Sequence, residues 1–102
     1  MSKSQQENDA DLKRAEFEAR IAEWESRIKK LEAEIEQAKA STAADVGELL
    51  TRLRAHRNEA RGRLDEIKKA SDEVWERTRS AFEEAIEEMS AAYEAVRRRM
   101  RQ

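Results

Sequence analysis

An all-α fold follows from three observations, and its most economical form is an antiparallel coiled coil of three helices running up, down and up. Ala, Glu, Lys, Leu and Arg make up more than half of the 102 residues, a composition that signals long helices when it comes with helical periodicity. No proline interrupts the chain, so nothing forbids helices of thirty residues or so. The bulky apolar residues recur at steps of three and four, which places them on stripes along helix faces.

Residues 1–8 (MSKSQQEN) are polar and aperiodic and read as a disordered tail. A single helical domain is predicted over 9–101. Its first helix spans about 9–40, with Asn8 or Asp9 as cap. Phe17, Ile21, Trp24, Ile28, Leu31 and Ile35 follow at alternating steps of four and three, a heptad seam that demands a facing helix. Beyond Ala38 only small or polar residues occupy the seam positions, so a turn is predicted at 40–45. Thr42 followed by Asp45 resembles a capping box for a second helix over 44–70. The alternative at this point is an uninterrupted helix.

The second stripe is narrower: Val46, Leu49, Leu50, Leu53, His56, Ala60, Leu64 and Ile67. Lys68 and Lys69 suit a helix C-terminus, and Ser71 with Asp72 and Glu73 suits the start of a third helix over 72–101. That helix carries Val74, Trp75, Phe82, Ile86, Met89, Tyr93 and Val96 on one face. No glycine or proline marks the second turn, so a two-helix hairpin with one long second helix is the alternative. Charge suggests which segments meet. Residues 46–70 hold seven basic and four acidic groups, whereas residues 71–96 hold two basic and eight acidic, so these two segments attract as antiparallel neighbours.

The segment KKASDEVWERTRSAFEEAIEEMSAAYEAV resembles the tail of small bacterial coiled-coil proteins, some of them stress-related. The match rests on Lys68, Lys69, Ala70, Ser71, Asp72, Trp75, Glu76, Phe82, Ala85 and Tyr93. The upstream EWESRIKKLEAEIEQAKA, with Trp24, Ile28 and Leu31, is similar to that family's first helix. The glycine that often follows the serine in that family is missing after Ser71. Members mostly lack an assigned activity, so the resemblance implies a structural or interaction role and no enzyme. An 11-residue spacing (Ser71, Phe82, Tyr93) also resembles apolipoprotein-like helices, which implies contact with lipid surfaces.

Several classes of chemistry find no residues to carry them. With no cysteine there is neither disulfide nor thiolate. No nucleophile–base arrangement or glycine-rich phosphate loop appears, so no catalytic or cofactor-binding residue is assigned and no enzyme is expected. His56 is the only histidine and, without a second His or Cys nearby, reads as a solvated residue at the seam edge, with no metal ligand set. Glu83, Glu84, Glu87 and Glu88 read as a solvated acidic face. Arg97, Arg98, Arg99 and Arg101 make a basic end that complements the helix dipole or contacts an anionic partner.

The net charge of −2 disfavours a dedicated nucleic-acid binder. The start MSKSQQENDADLK lacks the apolar core of a signal peptide, and no apolar run approaches a membrane span. A cytoplasmic protein is expected. The two tryptophans and Tyr93 exceed what so slim a bundle buries alone, which points to a homo-oligomer or a protein partner. The expected function is therefore a non-enzymatic coiled-coil protein acting by self-association or by presenting a helical surface. Reversible binding to an anionic membrane surface through the third helix is the first alternative. Weak architectural contact with nucleic acid is the second.

Overall fold

The computed structural model describes residues 3–102, with side chains from Asp9 onward. Three helices follow one another, α1 (Lys3–Gln37), α2 (Ala40–Lys69) and α3 (Trp75–Met100). They pack up, down and up into a rod of 58 × 18 × 18 Å. No strand occurs among the described residues.

The helix boundaries differ from expectation, and for one reason. The chain turns without using any of its cap-forming residues. α1 begins at Lys3, so Asn8 and Asp9 lie inside it and neither holds its N-cap position; Met1 and Ser2 of the expected tail lie outside the described residues. The first turn falls at Ala38 and Lys39, upstream of 40–45, with Lys39 extended at φ −61°, ψ 149°. Thr42 and Asp45 therefore lie in the first turns of α2, and no side chain caps that helix. The second break is real, and it excludes one long second helix. Ala70 is extended, Ser71–Val74 form a turn closed by Val74 N–H donating to the Ser71 carbonyl at 3.2 Å, and α3 starts at Trp75 rather than at residue 72. No described residue has positive φ. Each reversal opens on an extended residue, Lys39 or Ala70, and the second is completed by the Ser71–Val74 turn, so neither uses a glycine.

Two kinds of interface hold the three helices. α2 and α3 approach each other most closely, because alanines line their contact: Ala60 is 0% exposed and Ala85 4%. Small side chains bring helix axes together, whereas large ones hold them apart. α1 joins through large side chains. Phe17 packs on Phe82 with ring centroids 4.8 Å apart, and Trp24 meets Tyr93 edge-on at 5.3 Å, both within the range favoured by aromatic pairs. The resulting core is wholly apolar, with no buried polar or charged residue among those described.

Arg14 ties the corner where α2 ends. The last carbonyls of a helix lack intrahelical partners, and here a side chain from another helix supplies donors. Arg14 Nε donates to the Ile67 carbonyl at 3.1 Å and Nη2 to the Ala70 carbonyl at 3.0 Å. Its Nη1 donates to Asp11 at 3.0 Å. The guanidinium also lies 5.0 Å from the centre of the Trp75 ring, at the start of α3, within cation–π range. One side chain on α1 thus fixes the end of α2 and the beginning of α3.

Two outcomes follow for stability. Arg14→Met, which keeps the stem and loses the donors, lowers the unfolding free energy by about 1.5–3 kcal/mol. Arg14→Lys recovers only part of this, because an ammonium lacks the planar fork. An unchanged urea midpoint for Arg14→Met would remove this role. Gly47 and Gly62 lie inside α2, and an added Cβ meets nothing within 4 Å at either. Gly47→Ala and Gly62→Ala should each raise stability by about 0.5–1 kcal/mol, read as a higher melting temperature.

Candidate functional site: the outer groove between α2 and α3

On the side away from α1, α2 and α3 leave a groove along the rod. From α2 it is lined by Leu49, Arg52, His56, Glu59 and Arg63, whose steps of three and four keep them on one face. From α3 come Ala81, Glu84, Ala85, Glu88, Ala91, Ala92 and Ala95. Two shallow clefts share this groove, about 340 Å³ around Leu49 and Ala92 and about 130 Å³ around Glu59 and Glu84.

His56 and Glu88 lie where the clefts meet. His56 Nδ1 is 3.7 Å from Glu88 Oε2. One donor atom each from His56, Glu59 and Glu88 falls within 4.8 Å of the others. The histidine is half-buried and both glutamates are exposed. The arginines nearby are turned to other acceptors. Arg52 pairs with Glu48 at 3.3 Å, and Arg57 Nη2 donates to Asn58 at 3.3 Å. Arg63 is closer to Glu66, at 3.2 Å, than to Glu59, at 3.7 Å. Glu84 and Glu88 meet no Lys or Arg within ion-pair distance among the described residues.

The cationic face of α2 is spent elsewhere. Lys68 pairs with Glu18 at 3.1 Å, Arg61 with Glu25 at 2.8 Å, and Arg54 with Glu32. The acids advance by seven while the bases retreat by seven, the mark of an antiparallel heptad register. The charge pattern of α2 thus meets α1, although α3 was the expected counterion. α2 and α3 do pack together, but for steric reasons. Among the described residues the one ion pair between them is His56–Glu88, and it is charged only when the imidazole is protonated.

The remaining candidate residues fall into two groups. Phe17, Ile21, Ile28, Leu31, Ile35, Leu53, Leu64, Ile67, Phe82, Ile86, Met89 and Val96 are buried in the chain's own core. Trp24, Leu49, Trp75 and Tyr93 pack half-buried against it, and Val74 is half-buried in the turn before α3. Leu12, 66% exposed, is the large apolar side chain left uncovered among the described residues. At the far end, Arg97 approaches Glu34 at 3.8 Å, whereas Arg98, Arg99 and Arg101 remain exposed. An open cleft of about 450 Å³ at the opposite end is lined by Asp9, Lys13, Asp72, Trp75, Glu76 and Arg79. There Glu76, at 2.7 Å, and then Glu83 hold the Arg79 pKa above its ordinary value. That guanidinium is charged throughout and contributes no pH switch.

Sequence reading missed Arg14, the heptad ladder and the Glu88 partner of His56. The ladder had a signal, Glu18, Glu25 and Glu32 against Arg54, Arg61 and Lys68 at equal spacing. Half of the triad had one too, since His56 and Glu59 are three apart on a helix. Glu88 had none, because its place depends on how α3 slides along α2.

The register can be tested through the ladder. Glu25→Arg places two cations opposite each other and costs up to about 1 kcal/mol at low salt. Adding Arg61→Glu restores the loss, and about 1 M salt removes both effects. If the double exchange fails to restore stability, the two side chains do not face each other. Comparison with known protein families, characterised proteins and solved structures finds no match to this chain, so its function has to be read from this surface.

Proposed function

We propose that the chain is a non-catalytic interaction module, a helical bundle that presents its outer surface to a protein partner, and that a second copy of itself is the first such partner to test. The observation that carries this reading is the groove between α2 and α3. Its upper half is lined by Leu49 and by Ala91, Ala92 and Ala95, with little polar surface between them. Small side chains allow another helix to lie close, and a groove of this shape receives an amphipathic helix. The apolar stripes themselves are already occupied within the chain, so a partner meets the outside of the bundle. Arginines and glutamates along the rim supply register and selectivity more than affinity.

A second reading, reversible binding to an anionic membrane surface, is supported by the exposed Arg98, Arg99 and Arg101 at one end of the rod. Its difficulty is energetic. The apolar face of α3, with Phe82, Ile86, Met89 and Val96, is covered by the other helices, so lipid has to compete with the core for it. Among the described residues no helix is long and apolar enough to cross a membrane. Contact with nucleic acid through the same arginines is weaker still, since it uses one tip of a chain with net charge −2.

Sedimentation equilibrium from micromolar to millimolar concentration tests the first reading. Reversible association is expected, and Ala91→Glu, on the exposed wall of the groove, should weaken it by about tenfold or more, about 1.4 kcal/mol. A strict monomer at millimolar concentration would sink self-association. In that event a tryptophan blue shift with anionic vesicles, lost when Arg98, Arg99 and Arg101 become Gln, would favour the membrane reading.

A further inference from the structure

We propose that His56, Glu59 and Glu88 form a binding site for a divalent transition-metal ion of the zinc class, which staples α2 to α3. The site goes beyond the interaction reading and does not depend on it.

Three observations carry the inference. The first is convergence: two donors come from α2, three residues apart on one face, and the third comes from α3 across the groove. Their ligand atoms lie within 4.8 Å of one another. A tetrahedral ion with bonds near 2.0–2.2 Å holds its donors about 3.4 Å apart. Both glutamates are exposed, so their side chains are free to rotate toward a shared ion.

The second observation is the donor set. One imidazole nitrogen with two carboxylates is a mixed nitrogen–oxygen site. Magnesium and calcium favour all-oxygen shells of six or more ligands, whereas imidazole suits zinc and its neighbours in the first transition row. Three protein donors leave the remaining position to water.

The third observation is uncompensated charge. Glu59, Glu84 and Glu88 line the same short stretch of groove with a single arginine, Arg63. That arginine lies nearer Glu66 than Glu59. Among the described residues Glu88 has no cationic partner other than His56, which is an acceptor for a metal when neutral. A dication answers both the charge and the geometry. It also adds a link between α2 and α3, which otherwise meet through apolar packing in the shared core. Because the donors come together only in the folded chain, binding stabilises that state.

The test uses the full-length chain without an affinity tag. Zn²⁺ is titrated calorimetrically and Co²⁺ by its visible absorption, which reports inner-shell nitrogen and oxygen ligands. One equivalent is expected to bind, with a higher melting temperature and movement of the His56 imidazole resonances. His56→Asn and Glu88→Gln should each weaken binding by about tenfold or more, with helical circular dichroism unchanged. Glu87→Gln, next to the site on α3 but outside the triad, should bind as wild type does. Absence of Zn²⁺ binding at millimolar concentration would overturn the proposal. So would tight binding that leaves the His56 resonances unmoved, a result that needs no variant to fold. Binding to the monomer is measured separately from association, so this proposal and the interaction reading fail independently.

Discussion

The corner between α2 and α3 is the constraint on which the bundle depends. Between Lys69 and Trp75 the chain reverses with no glycine, no proline and no residue of positive φ. A reversal of this kind leaves helix-end carbonyls open to further partners, even where, as at Ile67, the Ala70 N–H already donates at 3.2 Å. Arg14 supplies them from α1 and stacks on Trp75 as α3 departs. The third helix therefore receives its direction partly from the first. That is a tertiary solution to a local problem, and it makes the three helices one cooperative unit.

Charge and packing divide the work of choosing neighbours. Glutamates of α1 and cations of α2 meet at heptad spacing, which sets the axial register of that pair. Such exposed pairs add little stability, but a slip of one turn would bring each into the wrong company. α2 and α3 are held by the near approach that Ala60 and Ala85 allow. α1 and α3, which run in the same direction, are held by aromatic rings at 4.8 and 5.3 Å. The largest side chains thus lie where the helices stand farthest apart.

This division leaves α2 and α3 with an outer face that the fold does not use. Had the acidic residues of α3 met the arginines of α2, Glu84 and Glu88 would be neutralised. Instead they face a groove with one histidine and two arginines, Arg52 and Arg63, which pair with glutamates of their own helix. An alanine-lined half and an acidic, histidine-bearing half share that groove. The first suits another helix and the second a cation. The acidic half stays open to a cation because Arg54, Arg61 and Lys68 pair with α1 and Arg52 and Arg63 with glutamates of α2.

The sequence alone determined the fold class, because steps of three and four in Phe17–Ile35, in Val46–Ile67 and in Phe82–Val96 can bury their stripes only as helices packed on one another. It pointed to a first break near 40–45, where the seam fails after Ala38. The second it left open, since a start signal at Ser71 without glycine or proline is equally compatible with one long helix. Helix ends were misplaced because Thr42, Asp45 and Asp9 have the chemistry of caps, and a helix that continues through such residues leaves no local mark. Only the tertiary structure could decide the rest. Arg14 meets Ile67 and Ala70 from more than fifty residues away, and Glu88 meets His56 through the slide of one helix along another. Helical periodicity fixes the angle at which a side chain leaves its own helix and is silent on axial register. That register, set here by the ion-pair ladder, alanine contacts, aromatic pairs and the part-buried Arg14 corner, decides which side chains share a groove.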